Sequence, residues 1–174
     1  MSAYLLDTSA VVAHYRKEVG HARVQVLFDD DDAVLWIAAP SLLELDTCLR
    51  DIGIEETVRR QMVNDYMGEL IHVVTVDGRV ARRAMAIRDA AEGRLPAMDA
   101  LIAACAVVCG AVLVHRDAHF DTIPLDVLPS LRLSEQDDGI AMSAIGSNRV
   151  KEARAAYKTG RARRKVPAGS SRPR

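Results

Sequence analysis

Ala3-Tyr4-Leu5-Leu6-Asp7-Thr8-Ser9-Ala10-Val11-Val12 is a short apolar run that stops at an acid, passes through two hydroxyl residues and turns apolar again. The first run has the length of a buried strand. Asp, Thr and Ser are the residue types that cap a helix N-terminus, and the second run reads as the helix they introduce. The pattern recurs along the chain. Val34-Leu35-Trp36-Ile37 leads through Pro40-Ser41, which suits the first turn of a helix, to Glu44. Ala111-Val112-Leu113-Val114-His115 is a strand candidate closed by Asp117. Pro96 and Asp99 open the stretch Ala100-Leu101-Ile102-Ala103-Ala104-Cys105-Ala106-Val107-Val108, apolar all round and therefore expected to be a buried helix.

Working outward, strands at about 3–6, 33–37, 71–76 and 111–115 alternate with helices near 9–15, 20–28, 40–51, 54–68, 78–92 and 98–109. That alternation predicts an α/β domain whose parallel sheet is covered on both faces. Pro124, Pro129 and the apolar residues between them cap the fold, with room for a short fifth strand, and the domain is expected to end near Leu133. The division is therefore residues 1–133 as the domain and 134–174 as an extension, with no internal repeat.

Charge divides along the same line. Of 23 basic and 24 acidic residues, ten and one respectively fall in 149–174, which leaves 13 and 23 before position 149. An acidic domain thus carries a basic tail. The ending Pro167-Ala168-Gly169-Ser170-Ser171-Arg172-Pro173 has too little apolar surface to hold a fixed pose. In the tail, cations such as Arg161 and Arg164 have two possible counterparts: RNA phosphates, or the acids of the domain itself. No stretch approaches the roughly 20 apolar residues of a membrane span, and Asp7 interrupts the first apolar run, so a cytoplasmic protein is expected. Cys48, Cys105 and Cys109 lack the paired spacing of a zinc site and are expected to be buried, reduced thiols; the five histidines show no metal-ligand spacing either.

Asp7, Glu44, Asp99 and Asp117 are each written where a strand ends or a helix begins. In open parallel sheets ligands bind beyond the carboxyl ends of the strands, so acids delivered there share one site. Two carboxylates about 5 Å apart repel by about 3 kcal/mol at an effective dielectric of 20, and a divalent cation removes that cost. Oxygen ligands select Mg²⁺ or Mn²⁺, the equipment of metal-assisted phosphodiester hydrolysis by activated water. Plainer readings stand beside this one. Asp7 is also a natural helix cap, and Asp99 a first-turn acid that complements the helix dipole. Asp46 competes with Glu44, but residues two apart on a helix point about 200° apart, so only one faces the site. Asp117 competes with Asp121. Thr8 and Ser9 serve either as caps or as holders of a water or phosphate. The run Asp29-Asp30-Asp31-Asp32 reads as a solvated loop.

Four segments carry a resemblance: Leu5-Leu6-Asp7-Thr8-Ser9-Ala10, Pro40-Ser41-Leu42-Leu43-Glu44-Leu45, Leu95-Pro96-Ala97-Met98-Asp99-Ala100-Leu101-Ile102-Ala103-Ala104 and Leu113-Val114-His115-Arg116-Asp117-Ala118-His119-Phe120. Together, over roughly residues 1–133, they resemble the acidic motifs of PIN-domain ribonucleases, and most of all the VapC-type toxins of bacterial toxin–antitoxin pairs. The resemblance implies a three-layer α/β/α domain and Mg²⁺- or Mn²⁺-dependent endonucleolytic cleavage of RNA, with Asp7, Glu44, Asp99 and Asp117 as catalytic residues and metal ligands. It also implies a homodimer and an antitoxin partner that blocks the site. His115 departs from the pattern, which more often has Thr or Ser ahead of the fourth acid. A haloacid-dehalogenase-type phosphotransferase would place a second Asp at position 9, which is Ser9. A receiver domain would need a Lys after a late strand, but the lysines are Lys17, Lys151, Lys158 and Lys165. The remaining rival is a non-catalytic PIN-like module that binds RNA or protein.

Overall fold

In the computed structural model, residues 2–69 and 71–138 are described, and the basic tail lies outside them. The strands are β1 (Ser2–Leu6), β2 (Ala33–Ala38), β3 (His72–Val74), β4 (Val112–His115) and β5 (Ser130–Arg132). They form one parallel sheet in the order β3-β2-β1-β4-β5. The helices are α1 (Thr8–Arg16), α2 (His21–Asp29), α3 (Ala39–Asp51), α4 (Glu56–Glu69), α5 (Gly78–Ala90) and α6 (Ala97–Cys109), with a 3-10 helix at Ala118–Thr122.

Strand alternation sorts the core into two layers. Leu6, Val114, Leu35 and Ile37 pack with Val11 of α1, Val24 of α2, Leu45 and Leu49 of α3 and Met62 of α4. Their strand neighbours Leu5, Leu113 and Ala38 face the other way, onto Val80, Ala84 and Ile87 of α5 and Ile102, Ala103 and Ala106 of α6. The sheet is thus sandwiched between helical layers, as the alternating sequence predicts. At α6 burial explains the all-apolar composition, because Ala100 and Ile102 through Ala106 are inaccessible to solvent.

The predicted strand at 71–76 is shorter in the structure. β3 pairs only with β2, and Ala38, the last residue of β2, is opposite Val74; beyond it β2 has turned into α3 and offers no ladder. The anticipated fifth strand is present and pairs with β4. After it, Leu133 packs against Gly20, which joins α1 to α2 with φ +85°, and the Asp138 carboxylate accepts from the N–H groups of Gly20 and Ala22 at 2.9 and 3.1 Å. Residues 134–138 therefore stay attached to the domain, at the N-terminus of α2. The acidic run 29–32 is exposed, as expected: Asp29 ends α2 and the next three residues turn into β2.

Candidate active site

The strand order reverses between β1 and β4, since β2 and β3 lie to one side of β1 and β4 and β5 to the other. At such a switch point the connections diverge to opposite faces and leave a crevice beyond the strand ends. A cavity of about 730 Å³ lies there, lined by residues that include Asp7, Thr8, Ser9, Glu44, Asp99, Arg116 and Asp117. All four sequence-predicted acids converge on it.

Each acid arrives on a different element. Asp7 follows β1 and caps α1: its carboxylate accepts from the Ser9 N–H at 3.0 Å and from the Ser9 hydroxyl. Glu44 stands one turn into α3, whose first turn carries Pro40. The Thr8 hydroxyl donates to Glu44 Oε2 at 2.9 Å. Asp99 sits in the first turn of α6, and Asp117 follows β4 and caps the 3-10 helix by accepting from the His119 N–H at 2.9 Å. Capping and site membership are thus compatible for Asp7 and Asp117. A cap needs one oxygen and leaves the other free.

The electrostatics record crowding. Asp7 is buried, and desolvation raises its pKa against the lowering effect of the Ser9 hydrogen bonds. Burial likewise raises Glu44, the Thr8 hydrogen bond restrains it, and Asp7, Asp99 and Asp117 push it further up. Asp99 is raised first by burial and then by Asp117. Burial comes first in each case, and neighbouring carboxylates add to it for Glu44 and Asp99.

The competing acids point elsewhere. Asp46 pairs with Arg59 of α4 at 2.9 Å, so it is tied down on the flank of α3 and not freely solvated. Asp121 pairs with Arg132 of β5. His115 is buried against Phe120, with burial lowering its pKa; its ring donates from Nδ1 to the Asp117 carbonyl at 2.9 Å and fixes the turn that carries the fourth acid. Thr8 and Ser9 both spend their hydroxyls on neighbouring acids.

Other residues at the site were not foreseen. Cys48 is exposed and lines the cavity one helical turn after Glu44, contrary to the expectation of three buried thiols; Cys105 is buried and Cys109 half-buried. Arg116 is the cation among the lining residues, bound to Glu18 at 2.7 Å with its N–H on the Ser9 hydroxyl. His119 brings Nδ1 to 3.1 Å from Asp99 and 3.2 Å from Asp117.

A parallel sheet with acids gathered at its switch point defines an α/β domain with an acidic crevice, and known proteins place it more narrowly. The PIN domain family model matches residues 4–125. Ribonuclease VapC11 of Mycobacterium tuberculosis is 34% identical over 126 residues, covering 68% of this chain and 90% of the relative. The structure of VapBC2 from Rickettsia felis bound to a promoter DNA fragment aligns with a TM-score of 0.62 at 18% identity, over 76% of this chain and 99% of that one. DNA-bound VapBC from Salmonella typhimurium aligns at 0.59 and 19% identity, over 76% and 98%. The chain belongs to the PIN-domain family, among its VapC-type members.

Proposed function

We propose that this protein is a divalent-metal-dependent endoribonuclease, the toxin of a type II toxin–antitoxin pair, with Asp7, Glu44, Asp99 and Asp117 as catalytic residues and metal ligands. The observation that carries the reading is the convergence of four carboxylates, from β1, α3, α6 and the end of β4, on one cavity. The relatives named ribonucleases support RNA as the substrate.

The donor set fits a hard cation. Carboxylate oxygens dominate it, ligand atoms of Asp99, Asp117 and His119 lie within 4.8 Å of one another, and three of the acids have raised pKa values that nearby positive charge would reverse. When bound, Mg²⁺ or Mn²⁺ supplies an acidified water and neutralises charge on the phosphodiester oxygens. The protein's own residues prepare the rest. Ser9 and the α1 N-terminus hold Asp7, Thr8 aims Glu44, and the His119 N–H orients Asp117. Arg116 stands on the cavity wall, with its guanidinium paired to Glu18.

The partners follow from the family. An antitoxin covering the cleft is the counterpart of such a toxin, and the VapBC assemblies among the structural relatives support that partner. A homodimer and a cytoplasmic setting belong to the same proposal. No helix among the described residues is long and apolar enough to cross a membrane. Mapping the 5′ ends of cellular RNA after brief expression of the wild-type chain and of Asp7→Asn tests the function. Discrete new ends with the wild type alone are expected; the same ends from Asp7→Asn, or none from either, contradict it.

A further inference from the structure

We propose that His119 is a metal ligand of this site, through Nδ1, and that it biases the site toward Mn²⁺ over Mg²⁺. The inference rests on the metal-dependent reading above and adds a nitrogen to an otherwise all-oxygen set.

Geometry carries the proposal. Two ligands at right angles on a cation with bonds of about 2.1 Å stand about 3 Å apart. His119 Nδ1 lies 3.1 Å from Asp99 Oδ2 and 3.2 Å from Asp117 Oδ1, and the three ligand atoms fall within 4.8 Å of one another. The two distances from Nδ1 match edges of one coordination octahedron. The residue is also held in place. Its N–H donates to Asp117 at 2.9 Å, and its carbonyl accepts the Thr122 hydroxyl at 2.7 Å, so both ends of its peptide are fixed in the 3-10 helix. The ring has only its two side-chain torsions left, and it spends them facing the two acids.

Donor chemistry sets the consequence. Mg²⁺ prefers oxygen and parts reluctantly with water, whereas Mn²⁺, a softer transition-metal ion, accepts an imidazole nitrogen more readily than Mg²⁺ does. A nitrogen between Asp99 and Asp117 therefore favours Mn²⁺. In the competing picture His119 is a cation that pairs with both carboxylates in the metal-free protein and moves aside when a metal arrives.

Electron spin-echo spectroscopy of Mn²⁺ bound to the full chain separates the two, together with calorimetric titration of Mn²⁺ and Mg²⁺. His119→Asn puts an oxygen near the position of Nδ1, and the half-exposed side chain tolerates the change without loss of the fold. The expected result is ¹⁴N coupling in the wild type that His119→Asn removes, with the Mn²⁺-to-Mg²⁺ affinity ratio falling about tenfold or more. A second variant, His119→Asp, is expected to lose the nitrogen signal and gain Mg²⁺ affinity. Bound Mn²⁺ without nitrogen coupling in the wild type, or an unchanged ratio in His119→Asn, overturns the ligand assignment and leaves the carboxylate site standing. Failure of the wild type to bind Mn²⁺ at all overturns the metal reading with it.

Discussion

At the scale of single residues, burial and neighbouring carboxylates make ionisation costly at this site. Asp99 has its pKa raised by burial and by Asp117. The fold thus favours its protonated form. That contribution to stability is complete below the ordinary value of 3.8 and is lost as pH rises through the raised one. Asp99→Asn removes the penalty. In EDTA the variant is expected to melt above the wild type, by a margin that widens as pH rises from the ordinary value of 3.8 through the raised one. Saturating Mg²⁺ or Mn²⁺ should raise the wild-type melting point and leave the variant nearly unmoved. A margin that stays flat with pH contradicts the assigned crowding.

Thr8 gives a second residue-scale prediction. Its hydroxyl is the hydrogen bond that holds the Glu44 pKa down against burial and three neighbouring acids. Thr8→Val keeps the shape and removes the donor, so Glu44 should ionise at a higher pH. The acid limb of the cleavage rate profile is expected to move to higher pH, with a stability cost of about 1 kcal/mol. An unshifted limb would mean that Glu44 need not be ionised for the reaction.

At the scale of elements, most of the architecture is readable because strand and helix periods differ and the acids punctuate the changes. β1, β2, β4 and α1 to α6 fall within a few residues of where the apolar runs place them. What is not readable depends on neighbours distant in sequence. β3 ends at Val74 because its partner β2 ends, a fact absent from residues 71–76 themselves. Asp117 and Asp121 are equivalent in composition, and Arg132 on β5 is what draws Asp121 away. His119 shows no ligand spacing because one of its two carboxylates, Asp99, comes from a helix twenty positions earlier. Gly20 supplies the element-scale prediction. With φ +85° and an added Cβ only 2.6 Å from Leu133 Cβ, Gly20→Ala should destabilise the joint of α1, α2 and β5 by more than about 1 kcal/mol. Urea unfolding measures it, and an unchanged midpoint contradicts the packing described.

At the scale of the whole molecule, Asp138 of the acidic domain lies beside the α2 N-terminus, close to Glu18 on the rim of the cleft. The ten cations from Arg149 onward follow that point in sequence and lie outside the described residues. As a proposal, they grip RNA phosphates. A chain ending at Asn148 should then bind RNA more weakly and with a shallower salt dependence, by about 0.7 in slope for each phosphate that the tail no longer neutralises. Faster cleavage by the truncated chain would instead mark the tail as a restraint on its own acidic site.

Purified protein shows whether the four gathered carboxylates make this PIN domain a metal-dependent ribonuclease. Full-length wild-type and Asp99→Asn chains are incubated with total RNA in Mg²⁺, in Mn²⁺ and in EDTA, and fragments are followed with time. Discrete cleavage by the wild type is predicted in either metal, none in EDTA, and a loss of at least about a hundredfold in rate for Asp99→Asn. Cleavage by the wild type that persists in EDTA, or undiminished cleavage by Asp99→Asn at saturating metal, would contradict the metal-dependent reading.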